Sequence, residues 1–216
     1  METVTDGRRQ RSLRSRAQIV GAAERLFLER GYVRTTIEDI ADAAGVAVQT
    51  VYYVFGTKLR VLAAVLDARI GGDDPSPVVE RDWVASLGAT GGPADAIDAL
   101  VAAAVDILSR AAPVYEVVRR AASDPEIGEL LAANRQSRRA DQRVLIQRLH
   151  ETGAFAEDLD VEAAADSFYA LVNEEVFQLL VVDCGWTTDR FRAWLADLVH
   201  TMLLPPASTR PAPSGP

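Results

Sequence analysis

"TVYYVFGTK", Thr50 to Lys58, sets two tyrosines, two valines and a phenylalanine within nine residues, stops at a glycine, and follows it with a lysine. A core helix accounts for that much apolar and aromatic content, and so does a helix that lends one face to a partner. The flanking residues bear on the choice. Upstream, Thr36 suits a helix cap with Asp39 three residues later, the spacing of a capping box. Ile37, Ile40, Ala41 and Ala44 form one apolar stripe, and Gly45 closes the helix after about two turns. "GVA" is the turn, and a second short helix runs to Phe55 before Gly56 ends it.

Two short helices joined by "AGVA" have the length and glycine placement of a helix-turn-helix. In that motif the second helix lies in the DNA major groove and the first crosses the backbone. Val51 and Phe55, four residues apart, pack inward. Val48, Gln49, Tyr52 and Tyr53 are left for the outer surface, and Thr50 completes the candidate DNA-facing set. The amide of Gln49 can pair with adenine, and a tyrosine offers a flat face to thymine methyls. Lys58 lies in the first turn of the next helix, beside N–H groups that favour a phosphate.

Working outward, Ile19, Ala22, Ala23, Leu26 and Phe27 form the stripe of a first helix, ended by Gly31. Thr57 caps a fourth helix with Leu59, Leu62, Ala63, Leu66 and Ile70 on one face. The stretch "IVGAAERLFLERGYVRTTIEDIADAAGVAVQTVYYVFGTKLRVLAAVL", residues 19–66, resembles the N-terminal domain of the TetR family of transcriptional regulators. The resemblance is carried by "AAxxLFxExGYxxTT", "DIAxxAGV", "TVYYxF" and "GTK". It implies that Thr36, Tyr52 and Lys58 meet phosphates, and that Gln49 and Tyr53 meet bases or the groove. Three positions depart from the family's pattern. Ala47 stands where a Ser or Thr usually caps the reading helix, a difference of roughly 1 kcal/mol. Val48 and Val54 stand where polar residues or histidine are frequent.

Composition fits a soluble globular chain: 216 residues, 49% hydrophobic and 25% charged. The net charge of −8 argues against nucleic acid until its distribution is considered. Residues 1–60 hold ten Lys/Arg against seven Asp/Glu, whereas the remainder holds thirteen against twenty-four. "RRQRSLRSR", residues 8–16, concentrates five arginines. A cationic head on an acidic body points to polyanion binding by the head. The arginine stretch itself has two readings: an arm along phosphates or in the minor groove, or a frayed, solvated end. No apolar run is long enough for a membrane span, and no signal-peptide pattern follows the arginines. Cys184 is the sole cysteine, which suits a reducing compartment and predicts a cytoplasmic protein.

Helical periodicity continues to the C-terminus, so the fold class is all-α. The pattern predicts an arginine-rich flexible arm over 1–17, the DNA-binding head over 18–56, a connecting helix over 57–70 and a linker over 71–77. A ligand-binding and dimerisation body follows over 78–204, then a Pro/Ser-rich disordered tail over 205–216. Within the body, helices are expected near 80–87, 93–111, 114–122, 125–153, 161–182 and 189–203. The last helix carries Phe191, Trp194, Leu195 and Leu198 on one wide face, and the preceding one carries Phe177 and Leu180. Facing their copies, these would form a four-helix dimer interface. Asn173 and Glu174 interrupt an apolar run. With Trp83, Tyr115, Arg119 and Phe168 they are candidate ligand contacts. His150 and His200 lack metal-ligand spacing, and no catalytic constellation is present. Metal, cofactor and catalytic residues are expected to be absent. The chain reads as a ligand-responsive regulator, a homodimer on a palindromic double-stranded operator, released by a small-molecule inducer. The competing class is a helical ligand-binding or scaffolding protein without specific DNA binding.

Overall fold

A computed structural model describes residues 3–74, 76–87, 91–153, 155 and 159–204. Every regular element among them is helical. They divide into two compact units, Met1–Pro75 with Ile107–Gln136, and Ser76–Asp106 with Ser137–Pro216. The expected tail over 205–216 lies outside the described residues.

The first unit contains α1 (Thr3–Arg30), α2 (Ile37–Ala44), α3 (Val48–Phe55) and α4 (Lys58–Gly71). It also takes the C-terminal part of α6 (Pro93–Ala121) and the N-terminal part of α7 (Pro125–Glu151). The stripes read from sequence meet in one core of Ile19, Phe27, Ile40, Val51, Phe55 and Leu62. Ala111, Val114, Tyr115, Val118, Ile127 and Leu131 belong to that same core. Part of the expected body over 78–204 thus packs into the core of the first unit. Four short helices of about 70 residues bury too small a share of their surface to hold firmly, and α6 and α7 supply the missing layer. Two corrections concern helix ends. The expected flexible arm is helical from Thr3 onward, continuous with α1. The expected break between 111 and 114 is absent, and α6 runs through Pro113. The proline is exposed, while Ala111, Ala112, Val114 and Tyr115 on either side of it are buried. Burying those side chains outweighs the roughly 3 kcal/mol that an interior proline costs.

The second unit holds a 3₁₀ turn at Val78–Glu80, α5 (Asp82–Ala85), the remaining halves of α6 and α7, and three later helical pieces. The single helix expected over 161–182 is instead α8 (Val161–Leu171), α9 (Glu174–Phe177) and a π-helical turn at Gln178–Asp183. The break falls at Asn173, in extended backbone, whose side-chain oxygen accepts from the Glu175 N–H at 2.7 Å. Asparagine competes with helix by bonding its own backbone neighbours, and here it acts as a cap rather than an interior residue. α10 (Thr188–Leu203) follows, with Thr187 capping it. Phe191, Leu195, Val199 and Leu203 of α10 are fully buried within the chain. Phe191 meets Phe177 edge to face, ring centroids 5.1 Å apart. Truncating that ring should leave a cavity: Phe191→Ala is expected to cost about 3–5 kcal/mol in denaturant unfolding, with little loss of helicity before the transition.

Candidate nucleic-acid interface

α3 is eight residues long, and its start has no side-chain cap: Ala47 has extended backbone but nothing to offer the first N–H groups. Its geometry is imposed from one side. Val51 and Phe55 are buried, and Val48 and Val54 pack half-buried against the same core. Val48, expected on the outer surface, is therefore only partly open to a partner. The opposite face carries Gln49, exposed, with Tyr52 and Tyr53 at 49% and 88% exposure. Thr50 is half-buried between the two faces. A soluble helix that leaves a tyrosine almost wholly in water beside a free amide has surface to give to a partner.

The approach to α3 is held by a corner of polar contacts. Thr35 is fully buried, and its hydroxyl contacts the Gly31 and Leu26 carbonyl oxygens at 2.9 and 3.3 Å, satisfying the end of α1. Thr36 caps α2 in a complete capping box: its hydroxyl accepts from the Asp39 N–H, and the Asp39 carboxylate accepts from the Thr36 N–H. These bonds hold the Asp39 carboxyl below its ordinary 3.8. Thr36 is exposed at the first turn of α2, where a phosphate contact is sterically open.

Lys58 is more constrained than sequence reading suggests. Its ammonium donates to the carbonyls of Tyr32 and Thr35, each at 2.9 Å, and sits 4.1 Å from the centroid of the Tyr32 ring. Burial pulls its pKa down, and Asp124 pushes it back up. The lysine thus clasps the start of α4 to the loop that sets up α2. An ammonium has three donors, so one remains for a phosphate. Lys58→Ala should consequently lower stability by about 2 kcal/mol without any DNA, read by denaturant unfolding and by faster amide exchange over 32–36. A pure phosphate contact would leave both unchanged.

The candidate ligand residues are divided between the two units. Tyr115 and Arg119 belong to the first unit, and Trp83, Phe168, Asn173 and Glu174 to the second. Tyr115 is buried and bonded to Asn134, and Arg119 is exposed in an ion pair with Glu116. Phe168 is core, Trp83 is half-buried, and Asn173 is the cap of α9. Glu174 is buried and ion-paired with Arg138, whose guanidinium lies 5.1 Å from the Tyr169 ring. Sequence reading missed Arg138 and the buried Gln142 one turn later, whose side chain reaches the Val172 carbonyl. Their i, i+4 spacing on α7 was the available signal. The expected dimer set is uneven in exposure. Phe177, Phe191 and Leu195 are buried in their own chain; Leu180 and Trp194 are half-buried, and Leu198 is exposed. Leu179 and Val182 of the π-helical turn are more exposed still. No helix among the described residues is long and apolar enough to cross a membrane.

Residues 19–65 match the model of "Bacterial regulatory proteins, tetR family". The transcriptional regulator TtgR of Pseudomonas putida is 48% identical over 54 residues, 25% of this chain and 26% of that protein. The match to such relatives thus spans about a quarter of their length. The repressor KstR2 of Mycobacterium tuberculosis is 26% identical over 156 residues, 68% of this chain and 72% of that one. The SmeT–triclosan complex superposes with a TM-score of 0.67 at 22% identity, over 94% of this chain and 99% of that one. NalD of Pseudomonas aeruginosa, the secondary repressor of the MexAB-OprM efflux pump, does so at 0.67 and 21%, over 90% and 98%. The likeness in fold therefore extends well past the head. With its helix-turn-helix in place at residues 37–55 and that match around it, the head over residues 19–65 is a DNA-binding domain of the tetR type, and the chain is similar to transcriptional regulators of that family.

Proposed function

We propose that the chain is a ligand-responsive transcriptional repressor that binds a palindromic operator as a homodimer and leaves it when a small molecule binds the body. The observation that carries DNA reading is the two-sided character of α3, Val51 and Phe55 sealed in the core and Gln49 and Tyr53 presented outward. A helix held this way enters a major groove with its register already set. Thr36, Tyr52 and the remaining donor of Lys58 flank it as phosphate contacts, and these position without carrying sequence information.

The exposed apolar side chains Leu179, Val182 and Leu198 support dimerisation, since all three stand in the last two helical stretches of the second unit. Two reading helices then face successive grooves roughly 34 Å apart, and the operator mirrors the dimer's symmetry. Ligand control draws support from relatives: SmeT was solved with triclosan, and a regulator of Saccharomonospora viridis with choline. Within this chain, the first-unit core joins α3 and α4 to the C-terminal part of α6. A shift of α6 would therefore be felt at the reading helix through packed side chains. A coupling of about 1–3 kcal/mol changes operator occupancy several-fold or more.

Selection of bound DNA from random duplexes tests the reading: a palindromic consensus is expected, and recovery of unselected sequence would refute it. On that consensus Gln49→Ala should relax preference at one base pair per half-site, at a cost of about 1–3 kcal/mol, while binding to random DNA stays unchanged. Leu198→Asp should convert the dimer to monomer in sedimentation and abolish operator binding, with the helical signal preserved because the side chain is already partly in water. An intact dimer would move the interface elsewhere.

A further inference from the structure

Within the second unit, α7 and α8 lie side by side, and two exposed ion pairs fix their register. Arg139 meets Asp166 at 2.7 Å, and Arg143 pairs with Glu162. Each step of four residues up α7 is a step of four down α8, so the two helices are antiparallel. Arg138 and Gln142, one position earlier, belong to the neighbouring stripe of α7, and that stripe is turned inward. Gln142 is buried, and the Arg138 side chain keeps 15% exposure. The stripe meets the chain where α8 ends and α9 begins, at Val172 to Glu174.

A helix break leaves backbone groups in need of partners. The Val172 carbonyl receives the Gln142 amide N–H at 3.5 Å, the long limit of a hydrogen bond. The other end of that amide has less: Gln142 Oε1 is buried and meets no hydrogen-bond donor among the described residues. Turning the amide over does not help, since it sets oxygen against the Val172 carbonyl. A buried acceptor without a donor is costly, and folded chains hold few of them. The charges beside it are already matched. Glu174 is paired with Arg138, whose guanidinium also lies against the Tyr169 ring. An ion entering here finds no counter-charge left over from that pair, which makes its burial expensive. Phe168 of α8, with Leu145 and Ile146 of the next turn of α7, is buried and apolar. An uncharged molecule with an apolar body and one donor fits this chemistry.

We propose that the α8–α9 break is a ligand site for uncharged hydroxyl compounds with an apolar body, whose O–H donates to Gln142 Oε1. The proposal rests on the reading of the body as ligand-binding and names the chemistry of its ligand. The Arg138–Glu174 pair keeps the cluster neutral and so selects against acids and amines of the same shape. The donated hydrogen bond sits beside the Asn173 cap that starts α9, so occupation of the site is felt first at the break.

The test uses the full-length chain and matched sets of an alcohol, its methyl ether and the parent hydrocarbon, on linear, cyclic and aromatic bodies of increasing size. Binding is read by calorimetry, and operator release by fluorescence anisotropy of the selected duplex. The best alcohol or phenol of the series is expected to bind about tenfold more tightly than its own ether, the factor that a hydrogen bond to a buried acceptor contributes. The matching carboxylic acid and amine should bind more weakly than the alcohol. Gln142→Met keeps the length and helix preference of the side chain, and it should equalise alcohol and ether while the hydrocarbon still binds. In the wild type, the carbon resonance of the Gln142 side-chain carbonyl should move with the alcohol and stay with the ether, a readout that needs no variant. Equal binding of alcohol and ether, an unmoved Gln142 resonance, or no binding across the series overturns the site. Discriminating binding that leaves operator affinity unchanged upholds the site and removes ligand-controlled release. Release by another class of molecule, with Gln142 unaffected, overturns this inference and leaves that reading standing.

Discussion

The burial of Val51 and Phe55 is the constraint on which the head depends. Eight residues are too few for an isolated helix, and α3 lacks even a side-chain cap. What keeps it helical is the transfer of two large side chains into a core built by α1, α2, α4, α6 and α7. Each contributes about 1.5–3 kcal/mol. Since both lie on one face, anchoring them also decides which residues point outward. Stability and presentation are thus one event: the packing that makes the helix exist also turns Gln49 and Tyr53 outward.

Polar bookkeeping at the corner between α1 and α2 supports that arrangement. A helix end leaves carbonyls without partners, and a helix start leaves N–H groups without them. Thr35 serves the first, the Thr36–Asp39 box serves the second, and the Lys58 ammonium takes two more carbonyls between them. The corner brings together residues 31–39 and 58, so α4 is oriented by the same contacts that orient α2. Lys58 accordingly belongs to the architecture of the head as well as to its candidate DNA surface.

The second unit is organised by a helix break. Asn173 stops α8 and starts α9, and the first residue after it, Glu174, is buried against Arg138. An ion pair out of water offsets its desolvation poorly unless the geometry is good, so its value lies in fixing how α7 meets the break more than in net stability. The π-helical turn that follows leaves Leu179 and Val182 facing water, where a regular continuation of α8 would have placed a different set of side chains.

Much of the head was legible in the sequence because its signals are local. Apolar residues at three- and four-residue steps, threonine caps and glycines at 31, 45 and 56 specify α2, α3 and α4, and those glycines have positive φ. The outward placement of Gln49 and Tyr53 was legible for the same reason, since it needs only the face opposite Val51 and Phe55. Tertiary packing decided the rest. Pro113 reads as a stop, yet flanking burial carries α6 through it. Asn173 reads as an interruption inside a helix and is its cap. Phe177, Phe191 and Leu195 read as an apolar face and are covered within their own chain, which periodicity could not tell, because it reports which face of a helix is apolar and carries no information on which neighbour covers it. Lys58 reads as a free cation for the same reason: the carbonyls that hold it lie 23 and 26 residues away in the chain, and only folding brings them within 2.9 Å.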